Sequence, residues 1–364
     1  MSRLRVLLVL CVLALGAFSA GCGSDDGDDS TTESSSDAAQ LAAVKDYLTD
    51  HSAQLTKNVA QLQENANAYY DLAESVGFDY AKLLKEHCPE VKQQLSEAKK
   101  AFIAANPSYE EMEGTVAGVP RLAHYDVDID AGSDASDPES AVSFSLTLPN
   151  GKQLKQPGNL FFLAETALWG TNEKLTAKGV EPDVDCDGKV EFGEGLPDAP
   201  TFKATLDEFA KQAKSLDADA QEFEPTPSDA FTSIVVMTPT MSEYFEQWKN
   251  TAFVAGKGKE SEQGFVATSR LSDIADILEG IAFTYDEIEP LVAGKSSAQA
   301  KQTQRELNQL LAFAADLRDR EENGEQFTAA QADQLGSEAQ ARAEAIAGQV
   351  TQSAQQLGIE LQEG

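Results

Sequence analysis

Leu41, Leu48, Leu55 and Leu62 stand seven residues apart, and Tyr69 takes the next place in the series. Ser52, Val59 and Ala66 fall four residues after three of them. A seven-residue apolar repeat with that offset is the seam of one long bundle helix. Leu335, Ala339, Ile346, Val350 and Leu357 repeat the pattern near the C-terminus, where the alanines allow close packing. Periodicity predicts further helices over 78–105, bent near Pro89, and over 158–178, 202–221, 228–255, 261–292 and 296–321.

Two stretches alternate instead. Val142, Phe144, Leu146 and Leu148 lead into Pro149-Asn150-Gly151, and Gln153-Leu154-Lys155 returns, which predicts a small β-hairpin. Tyr125, Val127 and Ile129 alternate with Asp126, Asp128 and Asp130. With Asp134 and Asp137 these acids are a candidate cation site, but alanine at 131, where a calcium loop needs glycine, favours a half-buried strand.

Residues 95–118 and 271–294 align without gaps, with eight identical positions. We read this as a duplicated helical bundle. The linker Glu224-Pro-Thr-Pro-Ser228 falls where the halves would join, which divides the body into 38–224 and 225–364. The expected fold is all-α: two bundles, with the hairpin and one acidic loop inserted in the first.

That loop carries the clearest chemistry. Asp183, Asp185 and Asp187 occupy positions 1, 3 and 5 of an EF-hand-like loop, and Gly188 sits at the sharp turn of position 6. Lys189 would lend a backbone carbonyl at position 7, Val190 is apolar at 8, and Glu194 can supply two oxygens at 12. Hard oxygen donors at this spacing select Ca²⁺. Gly195-Leu-Pro-Asp-Ala-Pro200 cannot start a helix at once, so the loop is expected to stiffen structure without the paired helices of a calcium switch.

The N-terminus reads as an export signal. Arg3 and Arg5 precede an apolar run from Val6 to Phe18, which ends in Ser19-Ala-Gly-Cys22, similar to a bacterial lipobox. Residues 1–21 would be removed, Cys22 would carry lipid, and 22–37 would form an acidic, serine-rich tether. The expected location is the bacterial cell envelope, outside the cytoplasm. The net charge of −33 becomes −35 on losing two arginines and no acids, which disfavours nucleic acid and favours cations. Cys88 and Cys186 are the two cysteines left, and an oxidising compartment suggests that they pair.

Several segments together resemble the imelysin-like family, which includes bacterial lipoproteins associated with iron uptake. They are Tyr109-Glu-Glu-Met-Glu113 with Asp126 to Ala131, then Phe162-Leu-Ala-Glu165-Thr-Ala-Leu-Trp169, then Leu271-Ser-Asp-Ile with Tyr285, and the closing Gln356-Leu-Gly-Ile359. The resemblance implies a two-bundle, all-α fold and a role in presenting cations, iron among them, to a membrane permease or surface partner. It also implies a metal-binding His-x-x-Glu, in which Glu165 matches the glutamate while Phe162 stands in place of the histidine. The one His-x-x-Glu present, His87 to Glu90, contains Pro89, which spoils helical spacing.

Glu113, Glu165 and Glu289 are candidates for a second metal site inside the bundles, although helix-surface glutamates are commoner. Trp169, Tyr244, Phe245 and Trp248 read as core aromatics. The chain has no Gly-x-Ser-x-Gly and no His-Glu-x-x-His, and His51, His87 and His124 are scattered, so the peptidase activity linked to the family by name finds no support. Two readings remain: an accessory cation-binding lipoprotein, or a structural or adhesive surface module in which calcium only stabilises the fold.

Overall fold

A computed structural model describes residues 33–362. The expected signal, Cys22 as the expected lipid site and most of the expected tether lie outside the described residues. The chain is mainly helical with one two-stranded hairpin, as expected. Helix α1 runs Glu33–Ser75, starting inside the stretch read as tether, and buries Leu48, Leu55, Leu62 and Tyr69 on one seam. Helix α2 is Tyr80–Gly118, capped by Asp79, whose carboxylate accepts the Lys82 N–H. It kinks at His87, two residues before Pro89, which supplies no N–H to the helical ladder. The helix then continues well past its expected end at 105, through Pro107.

Residues 125–130 are not a strand. Helix α3, Ala123–Asp126, runs into a π-helical turn, Val127–Ala131. The burial pattern explains the reversal: Leu122, Tyr125 and Ile129 are buried, a spacing of three and four that the alternating acids obscure. Asp128 turns inward and accepts from the backbone N–H and hydroxyl of Ser143, at 2.7 and 2.6 Å. The hairpin forms as read, with β1 Ser145–Thr147 antiparallel to β2 Gln153–Lys155 and Leu146 opposite Leu154.

Helix α4 is Leu160–Trp169, shorter than expected because Gly170 ends it in the left-handed conformation. Helix α5 is Ala199–Glu222. The stretch read as one helix from 228 divides at Pro239 into α6, Pro227–Met237, and α7, Met241–Asn250. Residues 251–269 are irregular, so the helix expected from 261 begins only at Arg270. That helix, α8, runs Arg270–Glu322 with a break at Ser296, and α9 is Ala329–Leu357. No described helix is long and apolar enough to cross a membrane.

Two apolar cores result. One draws on α1, α2, α4, α5 and the hairpin; the other on α6 to α9. The copies of the repeated segment lie on α2 and α8, which cross between the cores. The crossing is close because it is glycine-lined. A Cβ on Gly280 would stand 1.9 Å from the Glu111 carbonyl oxygen, and one on Gly114 would stand 2.9 Å from Ile281. Backbone cannot yield as a flexible side chain can. Gly280→Ala should therefore push the helices apart and cost about 3 kcal/mol, read as a lowered urea midpoint with an unchanged slope. Gly294→Ala, on the same helix with open space around it, should not destabilise.

Candidate functional site

The α2–α8 crossing brings acids together. Glu110 and Glu113 lie three apart on one face of α2, and both are buried. Asp126 and Asp130 reach the same space from α3 and the π-turn, and Asp273 from the first turn of α8. All of these acids but Glu110 border a cavity of about 380 Å³ between the two cores, which Phe161, Phe162, Glu165 and Tyr244 also line. Oxygens of Glu110, Glu113 and Asp130 lie within 4.8 Å of one another.

One buried cation answers these charges. Arg270, 3% exposed, donates to Asp273 Oδ2 at 3.1 Å and to Gln247 Oε1 at 2.9 Å. Its guanidinium lies 3.7 Å from Glu110 and 3.9 Å from Asp130, in ion-pair range without a hydrogen bond. The rings of Tyr244 and Phe265 flank it at 4.4 and 4.6 Å. Burial alone would draw its proton off, but Asp273, Asp130 and Glu110 outweigh that and keep it charged.

A single guanidinium does not satisfy five acids. Tyr109 donates to Asp126, Tyr244 to Glu113 and Asn106 to Glu110, at 2.8, 2.8 and 3.0 Å. Glu110 Oε2, Glu113 Oε2, Asp273 Oδ1 and Asn106 Oδ1 remain buried with no hydrogen-bond partner. The amide oxygen accepts, the carboxyl oxygens accept when ionised, and each is costly to leave unmatched. Burial, with Asp130 adding to it, pushes Glu113 up to about 7. Burial carries Asp273 to about 6 against the opposing pull of Arg270. Glu110 and Asp126 rise well above the ordinary carboxylate range, through burial first and their acidic neighbours second.

Glu165 reaches the cavity wall but is engaged otherwise. Its carboxylate accepts three consecutive backbone N–H groups, from Phe265 at 2.6 Å and from Val266 and Ala267 at 2.8 Å. Burial still lifts it to about 7, against those three donors. Phe162, where the family resemblance expects an imidazole, lines the cavity as an apolar wall. Glu289 does not join: it is half-buried on α8, five helical turns beyond Arg270. None of His51, His87 and His124 lines the cavity.

Sequence reading thus picked out Glu113, Glu165, Asp126 and Asp130 but missed Glu110, Asp273, Arg270 and Asn106. The i, i+3 pair of Glu110 and Glu113 was the available signal. Tyr244, Phe245 and Trp248 are core aromatics as read, and Tyr244 lines the cavity as well.

The acidic loop is a separate feature. Asp183, Asp185 and Asp187 converge there. Asp183 accepts from the backbone N–H of Asp187 and Gly188 at 3.1 and 3.0 Å, and Gly188 has φ +87° at the turn. Glu194 folds back over the loop to accept from Asp185 and Glu191, at 3.3 and 2.7 Å. The Lys189 ammonium stands 3.9 Å from Asp187 Oδ2, with its side chain exposed. No helix flanks the loop directly. A disulfide joins Cys88 to Cys186 and staples the loop to the kink of α2.

The raised acids have a consequence for stability. Glu113 keeps its proton to about pH 7 in the folded chain, whereas the unfolded chain releases it from about pH 4.5. Between those values the unfolded state holds fewer protons, so stability falls as pH rises. Chelator-treated protein should lose melting temperature between pH 5 and 7.5. Glu113→Gln should reduce that loss by on the order of 1–3 kcal/mol. Identical pH profiles for the two proteins would show that Glu113 does not titrate as described.

The imelysin family model matches residues 40–352 of this chain, and no curated protein matches it.

Proposed function

The chain belongs to the imelysin family, and on that premise we propose that it is a lipid-anchored, extracytoplasmic cation-binding protein. Its binding site is the cavity between the bundles. The observation that carries this reading is the set of buried carboxylate oxygens, on Glu110, Glu113 and Asp273, that meet no donor. Carboxylates in excess of the one guanidinium among them, with oxygens left over once their protons leave, are what a cation needs.

The chemistry of the donors narrows the ion. Glu110, Glu113 and Asp130 offer oxygen only, with Asp126 and Asp273 close enough to neutralise further charge. Hard cations such as Fe³⁺, Mn²⁺, Mg²⁺ and Ca²⁺ suit such a set, whereas zinc and copper favour imidazole or thiolate. Iron is the first candidate because the resemblance implies a part in iron uptake, with a membrane permease or surface protein as the receiving partner. Glu165 is not among the ligands, since both of its oxygens hold backbone N–H groups.

A second, structural ion belongs to the loop. Asp183, Asp185 and Asp187, the Lys189 carbonyl and Glu194 would hold Ca²⁺, and the neighbouring disulfide limits how far the loop could open. The lipid on Cys22 would keep the body at the membrane surface. If the loop ion were the sole one, the protein would instead be a structural or adhesive module.

Metal analysis of the chain from residue 22, made soluble by Cys22→Ser, separates these readings. After dialysis against equimolar Ca²⁺ and Fe³⁺ with a weak chelator, we expect calcium that Asp183→Ala abolishes. We also expect a second ion that Glu113→Gln abolishes while calcium stays. Calcium alone, unaffected by Glu113→Gln, would sink the cavity reading and favour the structural module. For the anchor, metabolic labelling with a fatty-acid probe should mark the wild-type protein and not Cys22→Ser.

A further inference from the structure

We propose that residues 262–268 form a movable roof over the cavity and that Glu165 is the latch holding it shut. The proposal rests on the reading that the cavity receives a cation, and it concerns how that cation enters. Glu110 is 0% exposed, Glu113 2% and Asp273 1%. Glu110 Oε2, Glu113 Oε2 and Asp273 Oδ1 are out of contact with water, so an ion reaches them only when the groups packed over them shift.

Most of the wall is poorly suited to moving. Glu110 and Glu113 sit in the last turns of α2, and Arg270 and Asp273 open α8; the two helices are locked where Gly280 meets the Glu111 carbonyl and Gly114 meets Ile281. Tyr244 is carried by α7, whose Phe245 and Trp248 are anchored in the second core. The irregular strap from 251 to 269 is different. Glu262, Gly264, Phe265 and Thr268 from it line the cavity directly. Upstream, Gly256 and Gly258 stand at φ +88° and +77°, and the N–H groups of Ser261 and Glu262 both donate to the Asn250 carbonyl at 3.1 Å, a single attachment about which the strap can hinge.

What holds the strap down is local and polar. The Glu165 carboxylate gathers the N–H groups of Phe265, Val266 and Ala267, as an anion gathers a run of backbone donors. Outside it, the Thr171 hydroxyl donates to the Gln263 carbonyl at 2.7 Å. The fit is close: a Cβ on Gly264 would come to 3.3 Å from Glu165 Oε2 and 3.4 Å from the Phe162 ring. Phe265, at φ +53°, lays its ring over Arg270. The latch therefore presses an aromatic cover onto the one cation among the acids. Glu165 is a positioning residue, acting on the site through the strap rather than by touching the bound ion.

Two measurements test this. Hydrogen exchange at Phe265, Val266 and Ala267, followed by mass spectrometry without added cation, reads the latch by itself. Tb³⁺ uptake and release, followed by luminescence sensitised through Tyr109 and Tyr244, reads access; it is done in full-length chain carrying Asp183→Ala, so that the loop does not report. Glu165→Gln should speed exchange of those amides at least about tenfold, the scale expected from losing charge-assisted hydrogen bonds. Uptake and release of Tb³⁺ should both speed, and the equilibrium affinity should change far less than either rate. Gly264→Ala, which sets a methyl 3.3 Å from Glu165 Oε2 and so crowds the latch while keeping the carboxylate, should act in the same direction to a smaller extent.

Unchanged exchange and unchanged rates in both variants would overturn the proposal. So would loss of Tb³⁺ affinity in Glu165→Gln with exchange unaltered, which would make Glu165 a ligand. Should Glu165→Gln not fold, Gly264→Ala decides alone. If Tb³⁺ binds neither protein at this site, the cation reading fails while exchange still tells whether the latch exists.

Discussion

A guanidinium buried among carboxylates sets the terms for the rest of this structure. Removing charge from water is expensive, and it is tolerated where opposite charges and hydrogen bonds replace the solvent. Arg270 meets that condition on every side. Asp273 and Gln247 accept its hydrogen bonds, Glu110 and Asp130 stand at ion-pair distance, and two aromatic rings cover its faces. Five acids around one arginine leave an excess of negative charge that the folded chain does not neutralise internally. The raised acids and the unmatched oxygens are two expressions of that one imbalance.

The imbalance exists because two helices meet closely. Without side chains at Gly114 and Gly280, α2 and α8 approach until there is no room for a Cβ at either glycine. That approach places the acids of one helix against the arginine and acid of the other, at the boundary between two apolar cores. The apolar side chains gather into two cores, which leaves the boundary between them to carry polar groups that neither core would accept. The π-turn after α3 contributes by the same logic. Its extra residue per turn brings Asp126 and Asp130 toward the cavity while Asp128 bonds Ser143 on another side.

The legible part of the fold was the part governed by local period. The seam of α1, the bend near Pro89, the hairpin and its turn, and the all-α class follow from spacing and from the special backbone of proline and glycine. Errors came where one pattern served two masters. The acids at 126, 128 and 130 mimic a strand although they point inward, Asp126 and Asp130 to the cavity and Asp128 to Ser143, and an apolar-or-polar reading takes any charged residue as exposed. The 251–269 stretch resembled a helix by composition, but its glycines and its pinning by Glu165 hold it irregular. At the candidate site, Glu113 and Glu165 were visible as inward-facing glutamates on helices. That Glu165 would be consumed by three backbone N–H groups was not, because those donors come from a segment about a hundred residues away.

By itself, then, the sequence determined the helical class, the hairpin, the spacing of the acidic loop and the cysteines available to pair. Those properties depend on neighbours a few residues apart, where backbone geometry is nearly the whole story. The tertiary structure alone decided which acids share a cavity, that Arg270 stands among them, that Tyr244 faces them, and that Glu289 does not. Those outcomes turn on where α2 and α8 cross and on how far burial removes water from each group. A crossing angle is set by packing across the whole interface, and desolvation by everything that surrounds a side chain; neither is written in any short run of residues.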